Sequence, residues 1–102
     1  MDYTSKRWQI KRKKILKKDG YIDRYAFMYG KIIEATLVHH IYPAKEYPEY
    51  SYEDWNLISI SFETHNKLEN RKTGKLTKLG EELKKNTKVG IDWRSKKNIP
   101  PL

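Results

Sequence analysis

Two short runs, residues 32–41 ("IIEATLVHHI") and 57–61 ("LISIS"), constrain this chain more than any other feature. β-Branched residues dominate the first, and the second alternates apolar with polar, the patterns of strands packed on a core. The stretch between them, "YPAKEYPEYSYEDW", carries two prolines and four tyrosines and suits a long irregular surface loop. Directly after the second run, "FETHNKLENR" has no breaker and good helix formers, with Ser61 available as an N-cap. Strand, loop, strand and helix therefore follow one another within residues 32–70.

The flanks are helical. In "SKRWQIKRKKILKKDGY", Trp8, Ile15 and Leu16 fall at helical spacing among lysines and arginines, predicting a basic helix over about 4–18 that stops near Asp19-Gly20. "YIDRYAFMYGKII" reads as core-filling loop and short helix up to Gly30. "LTKLGEELKKNT" predicts a helix over about 77–86, with Thr77 as cap, glutamates early, lysines late, and Leu76, Leu79 and Leu83 along one side. The tail "GIDWRSKKNIPPL" is basic and expected to be extended or partly disordered. With 102 residues and no internal repeat, the chain is expected to form one α+β domain over 1–102.

Charge narrows the partners. The chain holds 22 basic against 13 acidic residues, a net charge of +9, which favours a polyanion. Lys13, Lys14, Lys17, Lys67, Arg71 and Lys72 are the group expected to touch phosphates; taken singly, each could equally be a solubilising side chain. No stretch approaches a membrane span and none resembles a signal peptide, so no membrane partner is expected. Cysteine is absent, which excludes disulfides and thiolate-held zinc. A bound metal would be held by nitrogen and oxygen, a set that suits Mg²⁺, Mn²⁺, Ni²⁺ or Zn²⁺.

The histidines are His39, His40 and His65. Neighbours on a strand point to opposite faces, so His39 and His40 face different surroundings. His65 has Glu69 four residues later on the expected helix. If the strands pack on that helix, His39, His65 and Glu69 can converge on one cation, while His40 stays free to take a proton from water. The alternative is that all three histidines are structural.

These pieces together resemble a known family. "LVHHI", "DWNLISIS" and "THNK", in this order and spacing, are similar to the HNH endonuclease signature, over residues 8–70. The resemblance implies a small ββα-metal core: a two-stranded antiparallel hairpin packed on a helix. It implies one divalent cation on His39 and His65, with Glu69 where some relatives carry a further histidine ligand. It implies His40 as general base and Asn56 as the residue that orients loop and base. DNA would be the partner and its phosphodiester bonds the substrate. A phage or mobile-element origin in a bacterial cytoplasm follows from the likeness, with packaging proteins and a homodimer as open associations. A catalytically silent DNA-binding protein on the same fold is the alternative function, and an RNA-binding accessory protein a remoter one.

One departure stands out. Many relatives brace this core with a zinc on two C-x-x-C pairs, which here fall at Asp23 and Ala26, and at Ser61 and Thr64. No structural zinc is therefore expected, and packing by Tyr21, Tyr25, Phe27, Met28 and Tyr29 is expected to take its place.

Overall fold

The computed structural model describes residues 1–95, and its first helix, α1 (Lys6–Lys18), begins where the Ser5 Oγ accepts from the Trp8 N–H at 3.1 Å. α1 buries Trp8, Ile15 and Leu16, the three residues its periodicity marks. It ends in two left-handed residues, Gly20 (φ 65°) and Tyr21 (φ 58°), and the Tyr21 N–H donates back to the Leu16 carbonyl at 2.9 Å. Glycine adopts that geometry freely, whereas Tyr21 is held there against its preference. The short α2 (Arg24–Met28) follows, capped by Asp23.

β1 (Leu37–His40) and β2 (Leu57–Ile60) pair antiparallel, with Leu37 opposite Ile60 and His40 opposite Leu57. The strand expected over 32–41 is shorter because residues 33–35 pair elsewhere. The Asp23 N–H donates to the Ile33 carbonyl and the Ala35 N–H to the Tyr21 carbonyl, each at 2.8 Å. β2 is buried on both faces. Leu57 packs with Trp8 and Ile15 on the α1 side, while Ile58 and Ile60 join Tyr25, Ile41 and Leu68 on the other. Ser59 breaks the apolar pattern without reaching water. Its N–H donates to Asp19 Oδ2 at 3.1 Å and its hydroxyl to the Ile15 carbonyl at 3.3 Å, which ties β2 to α1.

α3 (Phe62–Leu68) opens on Ser61, as expected, but stops before Glu69. Asn70 ends it: its Oδ1 accepts from the N–H groups of Lys72 and Thr73 at 2.9 and 3.2 Å, turning the chain toward Gly74. α4 (Lys78–Asn86) starts at Thr77 and crosses α3 at Gly80, where an added Cβ would sit 2.1 Å from the Leu68 carbonyl oxygen. Its leucines divide: Leu83 packs on the core and Leu79 is exposed.

The tail, expected to be extended, is described only as far as Ser95, and that part is anchored through a single helical turn over Trp93–Ser95. Arg94 grips Asp19 with two nitrogens, at 2.6 and 3.0 Å, and donates to the carbonyls of Asp54 and Leu57. Bidentate pairing inside the fold makes this a strong, directional link. Asp54 is gripped in turn by Lys11 and Lys18. Burial would raise its carboxyl, but the two ammonium groups outweigh that and hold it down to about 2. Pro100 and Pro101 lie outside the described residues. Among the described residues no helix is long and apolar enough to cross a membrane.

The four positions Asp23, Ala26, Ser61 and Thr64 do come together, and hydrogen bonds join them. Asp23 Oδ2 accepts from the Ser61 N–H at 2.9 Å and its hydroxyl at 2.8 Å, while Oδ1 accepts from the Ala26 N–H at 2.8 Å. Ser61 Oγ in turn lies 3.2 Å from Thr64 Oγ1. The expectation that aromatic packing does this work is corrected. Of the five aromatic and methionine side chains only Tyr25 is buried, while Tyr21, Met28 and Tyr29 are exposed. A buried polar clasp, with Asp23 fully enclosed, joins α2 to the start of α3.

Candidate metal centre

β1 sends His39 and His40 to opposite sides of the sheet. His39 faces α3, its ring edge-on to that of His65 with centroids 5.7 Å apart. It is buried, and its Nε2 has no hydrogen-bond partner. An orphaned ring nitrogen inside a protein is costly unless something binds it. Glu69, although just past the end of α3, still reaches back, with Oε2 3.2 Å from His65 Nε2. One ligand atom from each of His39, His65 and Glu69 lies within 4.8 Å of the others.

Electrostatics suits a cation there. Burial, with His65 beside it, pushes the His39 imidazole down to about 3, so the ring stays neutral and keeps its lone pair. A hydrogen bond from His65 holds the Glu69 carboxyl below its usual range. Two imidazoles and a carboxylate form a nitrogen-and-oxygen donor set that could hold a divalent ion, and the unpartnered His39 Nε2 fits that use.

His40 faces α1. Its ring stacks on Trp8, centroids 4.9 Å apart and planes 22° apart, and its Nε2 lies 3.0 Å from the Ser51 carbonyl oxygen. A carbonyl only accepts, so Nε2 carries the hydrogen and a neutral ring leaves Nδ1 bare. Burial lowers the His40 pKa, which favours this neutral form. One strand thus presents a buried, unpartnered nitrogen on one face and a basic nitrogen on the other.

Comparisons with known proteins bear on the fold and the family. No family model matches the chain, and no curated protein sequence does. Among solved structures, it is similar to the HNH endonuclease of the deep-sea thermophilic bacteriophage GVE2, determined with a manganese ion. The two are 31% identical, the match spans 63% of this chain and 70% of that one, and the TM-score is 0.61. The chain belongs to the HNH endonuclease family.

In this HNH chain Asn56 is fully buried, and its amide reaches only backbone. Oδ1 accepts from the Tyr42 N–H at 2.6 Å, while Nδ2 donates to the carbonyls of Tyr42 and Tyr50 at 3.0 and 3.1 Å. Both ends of the amide are thereby taken by backbone partners. Its bonds pin the loop just before Ser51, whose carbonyl meets His40.

Lys13, Lys14 and Lys17 stand exposed on α1, and Lys67, Arg71 and Lys72 stand exposed near His65 and Glu69 in sequence. Arg71 also lies over the Phe62 ring, 4.7 Å from its centroid. Other α1 cations are committed inside the fold. Lys11 and Lys18 hold Asp54, Arg12 donates to the Thr36 carbonyl at 3.0 Å, and Arg7 lies 3.7 Å over the Tyr52 ring. Ser51 and Tyr3 are neighbours of His40 that the sequence does not mark. Ser51 acts through its backbone, and Tyr3 precedes every periodic element.

Proposed function

We propose that this HNH family member hydrolyses phosphodiester bonds in DNA, with His40 as general base and one divalent cation on His39, His65 and Glu69. The observation that carries the reading is the division across β1. Three ligand atoms lie within 4.8 Å of one another on one face, and a histidine with a bare Nδ1 stands on the other.

The chain's own groups account for most of the chemistry. His40 Nδ1 takes the proton of the attacking water. The Ser51 carbonyl fixes the tautomer and Trp8 fixes the plane of the ring, so the lone pair keeps one direction. Asn56 is a positioning residue that holds the loop bearing Ser51. When bound, a divalent cation polarises the phosphoryl group and stabilises charge on the leaving 3′ oxygen. The products are a 3′-hydroxyl and a 5′-phosphate. Lys13, Lys14, Lys17, Lys67, Arg71 and Lys72 supply contacts to the backbone that do not depend on sequence.

Incubation of the purified protein with supercoiled plasmid and Mg²⁺, Mn²⁺ or Ni²⁺, beside His40→Ala, tests this directly. Nicking by the wild type and its loss in the variant are expected. No nicking in any metal, with a salt-sensitive gel shift retained under chelation, would instead establish a silent DNA-binding protein.

A further inference from the structure

Tyr3 packs against the proposed base. Its ring meets His40 edge-on at 5.9 Å and Trp8 edge-on at 5.7 Å, closing a three-ring cluster whose middle member is the imidazole. The segment is anchored there. Gln9 Nε2 donates to the Tyr3 carbonyl at 2.9 Å, and the Asp2 carboxylate accepts from the Thr4 N–H at 2.9 Å and its hydroxyl at 2.6 Å. Yet Tyr3 remains 52% exposed, and its hydroxyl makes no hydrogen bond to any described residue. An anchored aromatic with a free donor, packed against His40, has its polar end available for something outside the fold.

Resting on the nuclease reading, we infer that Tyr3 contacts substrate: its hydroxyl donates a hydrogen bond to a phosphate oxygen of the strand presented to His40. The phenol is suited to donate. Burial, and then the Glu69 charge, raise its pKa above the ordinary tyrosine value, so it keeps its proton at neutral pH. A neutral donor adds a directed contact where lysines elsewhere supply only charge. The ring's packing on Trp8 and His40 sets where that donor stands.

Tyr3→Phe removes the hydroxyl and keeps the ring, so the cluster and the fold are preserved. Plasmid nicking in Mn²⁺ is measured for wild type and variant, together with Mn²⁺ affinity and thermal stability. The expected result is about a tenfold loss in kcat, in line with one hydrogen bond to a charged group, at unchanged Mn²⁺ affinity and Tm. Wild-type rates in Tyr3→Phe would overturn the inference while leaving the nuclease reading intact. A loss matched by an equal loss of Mn²⁺ affinity would overturn it as well, because Tyr3 would then support the metal ligands. An inactive wild type would remove the nuclease reading and this inference together.

Discussion

Asp23 accepts two hydrogen bonds from Ser61, one from the backbone and one from the hydroxyl, across 38 residues of sequence. Removing the carboxylate takes the acceptor from two buried N–H groups, those of Ser61 and Ala26. Asp23→Ala should therefore destabilise the fold by about 2–4 kcal/mol. Urea denaturation measures this, and a loss below about 1 kcal/mol would show the clasp to be dispensable.

Gly80 offers a second test with an unusual sign. Alanine in a helix interior normally gains about 1 kcal/mol over glycine. Here the new Cβ would lie 2.1 Å from the Leu68 carbonyl oxygen, so α4 must move off α3. Overpacking of this kind costs about 1–3 kcal/mol. Gly80→Ala should lower Tm, and a rise would mean that the helices separate freely.

The proposed metal ligands and the proposed base should part company in a binding experiment. By calorimetry with Mn²⁺, His39→Ala should abolish binding and Glu69→Gln should weaken it on the order of tenfold, about 1.4 kcal/mol. His40→Ala should leave affinity within about twofold, since its ring faces α1. Equal losses from His39→Ala and His40→Ala would dismantle the division of roles.

Acid should weaken the metal-free protein in a defined window. An unfolded histidine takes its proton near 6.5, whereas folded His39 holds off until about 3. Between those values the unfolded chain binds more protons, so stability falls as pH drops through 6.5 toward 3. His40, also lowered by burial, acts in the same direction. Tm should be lower at pH 5 than at pH 7.5, and His39→Gln should flatten the slope. Asp54, held at about 2, adds a further loss only below about pH 4.

Much of the site was legible because its chemistry sits in few residue types at short spacing. The His39-His40 doublet, Asn56 and His65 announced themselves, and strand alternation gave the doublet its two directions. The positions of the clasp were legible too, but its chemistry was not. Asp23 and Ser61 look like ordinary caps, and only the fold shows one carboxylate serving both segments. Ser59 gave no sign of its role, since alternation says only that it faces away from Ile58 and Ile60; in the fold it bonds to α1. Glu69 lies on an apparent helix that Asn70 stops early, yet it still reaches His65. Ser51 and Tyr3 gave no signal, one because a backbone carbonyl has no residue preference, the other because a lone tyrosine has no period.

Asp19 and Arg94 lie 75 residues apart and meet in one bidentate pair. A carboxylate made early therefore waits for a guanidinium made late. While the chain is still being synthesised, α1 and the hairpin can assemble, but Asp19 and the carbonyls of Asp54 and Leu57 lack this partner until residue 94 has left the ribosome. The last stitch in this HNH fold is thus set by the order of translation: one carboxylate and two carbonyls stand ready on early elements, and a single late guanidinium closes the seam between them.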